Sequence, residues 1–494
     1  MIQYSKKIEK FLKQNPIPVF IDGKWKVSSS GRVSKIENPA DQSILTKVSK
    51  PTADEAVEAI EAADKAFQSW KRVGAVERAK ILTKFADLCE RDGEELAQLE
   101  ALDVGKSIQN ARGFDVPFGI DSLRYYNNLI QEESFEKELN LEGMSSSKSV
   151  RLPFGVVGFI FPWNFPLTLC MWGIGPALAA GNTVVIKPAE ITPLSTLYLG
   201  VLAKEAGIPD GVINILPGSG SEIGNVLTSH PKVKCVSFTG SSPIGKIIGQ
   251  NCGFNLKPVK LELGGKGAAV IFEDANIDAT AKGLADAITL NTGQVCCTAT
   301  RWIVQESVAD EFIEKVKKQL LKTVIAPGMK EESEMGPVVS QKQLDSILAY
   351  IEKGKQEGVK VILGGERMEK DGFKEGYYLA PTLLFGTPDN ICFKEEIFGP
   401  VAFISTFKDE NDAINQVNSI DYGLANSVWT SDKLKADRVA KEMVAGSSWI
   451  NAHNVFAYGL AYGGVNGSGN GGGVNSKETM YDYTRVLSIA EPVM

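Results

Sequence analysis

The chain has 494 residues, 43% of them hydrophobic and 23% charged, which is more than one hydrophobic core holds, so two or three domains are expected. The composition is that of a globular protein, and a formal net charge of −7 with no basic run argues against a nucleic-acid partner. No apolar stretch reaches the roughly 18–20 residues that cross a bilayer, so no membrane association is expected.

The opening segment MIQYSKKIEKFLKQ is charged and amphipathic, without the apolar core of a secretory signal. It reads as an exposed first helix; Glu9 and the lack of Arg disfavour a transit peptide. From Pro51 to about Gln131, Ala-rich stretches such as TADEAVEAIEAADKAFQSW carry apolar residues at three- and four-residue steps and predict helices, with Thr52 or Asp54 as first cap. Beyond the polar stretch Met144–Ser149, short apolar runs (GVVGFIF, NTVVIKP, VINILPG, VKCVSFTG) alternate with helix-length segments. That alternation predicts βαβ units in an α/β fold with a doubly wound parallel sheet, whose ligands lie beyond the carboxyl ends of the strands. The segments to inspect are Pro162–Asn164, Lys187–Glu190, Pro217–Ser221 and Thr239–Gly245. A second α/β region begins near Gly264, with strands expected around Trp302–Val304, Val359–Leu363 and Val401–Phe407. The Gly-rich run Gly463–Gly473 reads either as a flexible linker or as a tight loop near a site.

The seven cysteines (89, 170, 235, 252, 296, 297 and 392) are odd in number and irregular in spacing, which predicts reduced thiols in a cytoplasmic protein. With only His230 and His453 and no CxxC, no metal site is expected, and both histidines read as surface or packing residues. Base chemistry should then fall to a carboxylate. Glu262, in LELGGK, sits at a strand end among leucines, where burial raises a carboxyl pKa into the range of a general base; the alternative is a Glu paired with a Lys. Asn164, in PWNFP, carries an amide suited to an oxyanion, and otherwise caps the helix beginning near Pro166. Cys296, in TGQVCCTATR, needs activation by its surroundings, since at an unperturbed pKa only about 3% of a thiol is thiolate at pH 7; the alternative is a buried structural thiol. Together the three form a minimal set for covalent chemistry at a carbonyl carbon.

PWNFP, KPAE, FTGS, LELGGK, GQVC and EEIFGPV occur in this order, between FIDGKW near Phe20 and YDYTRV near Val486. In these motifs the chain resembles the aldehyde dehydrogenase superfamily. The resemblance implies Cys296 as nucleophile, Glu262 as general base, and Asn164 with the Cys296 backbone N–H as oxyanion donors. The reaction it implies runs through a thiohemiacetal and a thioester to the carboxylic acid. Because members that transfer the acyl group to coenzyme A usually lack the carboxylate at Glu262, hydrolysis is favoured. Coenzyme A acylation, and an inactive structural relative, are the alternatives.

For the cofactor, the resemblance implies NAD. Gly240, Ser241 and Gly245 would approach the pyrophosphate at a helix N-terminus. Lys187 and Glu190 would hold the adenosine ribose, Glu190 repelling the 2′-phosphate of NADP. Glu396 would hold the nicotinamide ribose, with Phe398 and Trp163 nearby. The substrate pocket carried over comprises Phe165, Leu169, Trp172, Leu290, Val295, Cys297, Phe456 and Tyr462, which points to a medium-sized apolar or aromatic aldehyde. The implied domains are a cofactor domain over 1–137 and 154–262 and a catalytic domain over 263–475. A small oligomerisation element over 138–153 and 476–494 would serve a homodimer or homotetramer. The chain departs from the family where a Lys often follows the Trp (here Gly173) and in the tail AYGGVNGSGNGGG, where Asn466, Gly472 and Gly473 replace Lys, Arg and Glu. Without those charges Glu262 is expected to release its proton by another route, through water.

Overall fold

The computed structural model describes residues 4–471 and 473–493; Gly472, one of the departures, lies outside them. Among these residues two parallel sheets form the body. The first is eight-stranded, in the order 24–26, 19–21, 213–215, 183–187, 156–160, 233–239, 259–262, 469–470. Its five central strands run parallel, and both edges are closed by antiparallel pairs. Strands Val156–Ile160 and Thr183–Lys187 are buried along their whole length, as runs rich in Val and Ile are when helices cover both faces of a sheet. Helix Ala53–Trp70 starts at Thr52, whose side chain and that of Glu55 form a reciprocal capping box. The N-terminal helix Lys6–Leu12 is docked by buried Ile8 and Phe11.

The order of the parallel strands reverses between 156–160 and 233–239, since the chain passes from 156–160 to 183–187 on one side and returns to 233–239 on the other. A crevice opens at such a switch point, past the carboxyl ends of the two strands. Pro162–Asn164 and Thr239–Gly245 are the segments that reach it.

The second sheet has seven strands, in the order 360–363, 382–385, 401–407, 299–305, 267–271, 425–429, 447–450, parallel except for the first pair. A third, antiparallel sheet joins Thr484–Pro492 to Met144–Pro153 and Glu136–Glu138. The Gly-rich run is a tight loop and not a linker: Gly469–Asn470 pairs with Leu261–Glu262, and Tyr462 exchanges backbone hydrogen bonds with Val474. No described helix is long and apolar enough to cross a membrane.

Candidate active site

Where strand Val156–Ile160 ends, the chain turns through Pro162–Asn164 into helix Pro166–Ala179. Phe165 occupies the cap position, and Asn164 caps nothing. Its Nδ2 instead donates to the carbonyl of Gln294 at 3.0 Å, which fixes the amide against the loop carrying Cys296. An amide nitrogen carries two hydrogens, so one remains for a group at the site.

That loop is backbone-strained. Asn291, Thr292 and Gly293 are consecutive residues with φ of 46°, 57° and 68°. Left-handed backbone costs a residue with a Cβ about 1–2 kcal/mol, so surrounding contacts must impose it. They are present: Asn291 Nδ2 donates to the carbonyl of Asn164 at 2.9 Å, Gln294 Nε2 to the carbonyl of Asn291 at 3.0 Å, and Thr292 to the carbonyl of Gly336 at 3.0 Å. Val339 N–H donates back to Gln294 at 2.9 Å. Three residues after this turn, Cys296 points its sulfur toward Tyr462, whose phenolic oxygen is 3.4 Å away.

Hydrogen bonding from the Cys297 thiol, and then from the Tyr462 hydroxyl, holds the Cys296 thiol below its ordinary pKa against the opposing effect of burial. Burial drives Cys297 the other way, well above an ordinary thiol. The adjacent thiols are thus chemically distinct. Tyr462→Phe removes only the phenolic oxygen, so it should raise the pH midpoint for iodoacetamide alkylation of Cys296, read by mass spectrometry of that peptide. An unmoved midpoint would show that the phenol does not bear on the thiolate.

Glu262 ends strand Val259–Glu262, buried between the sheet and the Gly-rich loop. Its Oε2 has no hydrogen-bond partner among the described residues. Burial pushes its pKa up to about 8; Lys260 pulls against that, and the neighbouring Cys296 adds to it. The Lys that follows in the motif, Lys266, is also buried with an unpartnered ammonium, so the two do not form the ion pair considered from sequence. His453 is a packing residue: its ring bonds Ser427 and the carbonyl of Cys297, both at 2.9 Å, and burial pushes it down to about 4, leaving it neutral.

A cleft at the switch point leads to Cys296 past Trp163, Asn164, Gly240, Ser241, Glu396 and Phe398. Gly264 and Gly265 are required here by close approach. A Cβ on Gly264 would lie 2.2 Å from a carboxylate oxygen of Glu396, and one on Gly265 would lie 2.3 Å from the carbonyl of Cys296. The Gly265 N–H donates to Glu396 at 2.9 Å, and burial raises Glu396 to about 8. Phe398, at φ 58°, stands edge-on to Trp163 at 5.2 Å. Gly245 lies in the first turn of helix Ser242–Phe254, packed on Leu263. Lys187 ends the adjacent strand and Glu190 follows it. Lys187 Nζ donates to the carbonyls of Pro188 and Gly218 at 3.0 and 3.1 Å, and Glu190 accepts from Lys50 at 2.6 Å and from Ser34 at 2.8 Å. Sequence reading missed Lys50, Ser34 and Gln343; Gln343 lines the cleft and donates to the Phe398 carbonyl at 2.8 Å.

On the other side of Cys296 all eight residues assigned to a substrate pocket line one small apolar pocket, together with Phe114 and Thr168. Its rings interlock: Phe456 lies 5.3 Å from Tyr462, 5.9 Å from Trp172 and 5.8 Å from Phe114. Phe114 comes from the segment Ala111–Asp115, far away in sequence and in no motif, which is why it was not found.

The departures at Gly173, Asn466 and Gly473 fit their local surroundings. A Cβ at Gly173 would meet the Phe159 and Phe161 rings at 2.7 and 2.8 Å, so this packing leaves no room for a longer side chain. Asn466, at φ 53°, pairs with Tyr422 in a short antiparallel bridge. Gly473, at φ 77°, accepts a hydrogen bond from Lys260.

Two α/β units, each built on a largely parallel sheet, meet at a half-buried cysteine, a buried carboxylate and a switch-point cleft, the arrangement of an α/β enzyme. The aldehyde dehydrogenase family model matches residues 25–489, and the chain belongs to that family. An aldehyde dehydrogenase of Aspergillus niger is 41% identical over 480 residues, covering 96% of this chain and 95% of that protein. The NAD+ complex of aldehyde dehydrogenase from Bacillus cereus superposes with a TM-score of 0.96 at 38% identity, covering 100% of both chains. Betaine aldehyde dehydrogenase from Staphylococcus aureus in complex with NAD+ gives 0.95 at 35% identity, covering 98% of this chain and 97% of that one.

Proposed function

We propose that the protein oxidises an aldehyde to its carboxylic acid with NAD and water, through a covalent intermediate on Cys296. The observation that carries this is the convergence of a lowered thiol, an amide locked against its loop and a buried carboxylate around one point between a cleft and an apolar pocket. The Cys296 thiolate attacks the aldehyde carbon. The remaining hydrogen of Asn164 Nδ2 and the Cys296 N–H stabilise the oxyanion, one such donor being worth roughly 3–4 kcal/mol in a dry site. NAD, when bound, supplies the hydride acceptor. Glu262, as carboxylate, takes a proton from water attacking the thioester, and the acid departs while Cys296 leaves as thiolate.

The cleft fits a dinucleotide. The buried Lys187 ammonium, pushed down to about 8 by burial, has backbone carbonyls as its hydrogen-bond acceptors and can add a ribose hydroxyl. Glu190 would accept from the same ribose, Gly240 and Ser241 precede a helix N-terminus, and Glu396, with Phe398 and Trp163 beside it, would hold the nicotinamide end. Glu190 is ionised beside Lys50, and a 2′-phosphate would bring a double negative charge against it, so NAD is preferred over NADP. The aromatic lining of the apolar pocket, with no Lys or Arg in it, favours an apolar or aromatic aldehyde.

In this reading residues 1–137 and 154–262 form the cofactor domain and 263–475 the catalytic domain. The sheet of 138–153 and 476–494 assembles a homodimer or homotetramer. Val486 and Ile489, 56% and 45% exposed on its outer strand, are among the apolar contacts available. Seven free thiols accord with a cytoplasmic location. The test follows NADH or NADPH absorbance over a panel of aldehydes with each cofactor, with and without coenzyme A. NADH formation faster than NADPH and independent of coenzyme A is expected; an absolute need for coenzyme A would overturn hydrolysis.

A further inference from the structure

Lys260 precedes Glu262 by two residues on strand Val259–Glu262, so both side chains leave the same face of the sheet. Only 4% of the Lys260 side chain is exposed, an expensive place for an ammonium unless it is paired. It has two polar partners and also lies over the Tyr483 ring, 5.7 Å from its centroid. Nζ donates to the carbonyl of Gly473 and ion-pairs at 2.9 Å with Asp482, which directly follows helix Lys477–Tyr481. The Gly473 backbone also lies against Glu262: a Cβ on Gly463 would be 2.4 Å from the Gly473 Cα and 3.2 Å from Glu262 Oε1. The base, the loop and the ion pair are therefore contiguous. The Asp482 side chain is 30% exposed, so the pair also connects this buried corner to solvent.

We propose that the Lys260–Asp482 pair sets the charge balance around Glu262, so that the general base of a chain with Gly173 and Gly473 ionises under the control of these two positioning residues. Lys260 favours the carboxylate and Asp482 opposes it, in keeping with the directions in which each moves the Glu262 pKa. The other groups bearing on Glu262 are the Cys296 thiol and the Gly464 N–H, and those facing Asp482 are Glu478 and Arg151. A structural role alone, pinning the Gly-rich loop, would make both charges act alike on the base. An electrostatic role makes them act oppositely.

This inference rests on hydrolysis of a Cys296 thioester by Glu262. The experiment measures steady-state turnover of a chromogenic phenyl ester against pH in Lys260→Met, Asp482→Asn, Glu262→Gln and wild type. After the phenolate burst that acylates Cys296, that rate is deacylation. Lys260→Met should move the midpoint of deacylation up by roughly one unit, and Asp482→Asn should move it down. Shifts of the same sign, or none, overturn the proposal. If Lys260→Met does not fold, Asp482→Asn decides alone: a downward shift supports the proposal, and an unmoved or rising midpoint overturns it. A wild-type profile that Glu262→Gln leaves unchanged would instead sink the general-base reading, which separates the two failures.

Discussion

Replacing Cys296 with Ala is expected to lower aldehyde-dependent NADH formation by at least about four orders of magnitude while leaving NAD binding in place. The size follows from the chemistry: without the sulfur there is no thiohemiacetal from which hydride can depart, and hydration of the aldehyde in the pocket is the only remaining route. The neighbouring thiol cannot take over. Cys297 is 1% exposed, and burial holds it well above an ordinary thiol pKa. Cofactor binding should survive because Lys187 and Glu190, proposed to hold the adenosine ribose, are positioned by Pro188, Gly218, Lys50 and Ser34 and not by Cys296. Turnover by absorbance and NAD binding by quenching of Trp163 fluorescence check both halves. Activity within a hundredfold of wild type would show that the nucleophile lies elsewhere, and lost binding would show that the substitution disturbed the strained loop from Asn291 to Gly293.

The parts of this site legible in the sequence are those whose reason is local. The βαβ runs predicted the parallel strands, and the motifs placed Asn164, Glu262 and Cys296 at their ends or in the adjoining loops. Reading only the carboxyl ends would have missed Cys296. Cys296 precedes strand Ala299–Gln305 and is held at its amino end, because a second sheet faces the first across the cleft. Other features depend on pairs far apart in the chain. Asn291 is unremarkable in sequence and matters only because its amide spans 127 positions to the Asn164 carbonyl. Lys260 reads as one more strand lysine until the loop at Gly473 and the turn at Asp482 close over it, 222 positions away. Lys50, directly after the hairpin Val33–Ser49, meets Glu190 140 positions away. The glycines of LELGGK were legible as a motif, but not as the gap into which Glu396 fits.

Glu262→Gln should separate the two halves of the reaction. Acylation needs Cys296 and the oxyanion donors, so the first turnover survives and NADH appears as a burst of about one equivalent per active site. Deacylation loses its base and slows by roughly 10²–10⁴, the usual contribution of a positioned general base. The amide is nearly isosteric with the carboxylate, so packing against the Gly-rich loop is retained. The pH dependence supplies the sign. Glu262 works as the carboxylate, and burial raises its pKa to about 8. Wild-type deacylation should therefore climb with pH through a midpoint near 8 and level off about one pH unit above it, whereas the Gln variant, with nothing to ionise at that position, stays flat across the same range. Rapid-mixing absorbance gives the burst, and intact-protein mass spectrometry detects the acyl group on Cys296. Equal loss of burst and steady rate would mean that Glu262 acts before the thioester, as the base that prepares the thiolate. A full rate with a level pH profile would leave the buried carboxylate without a chemical role.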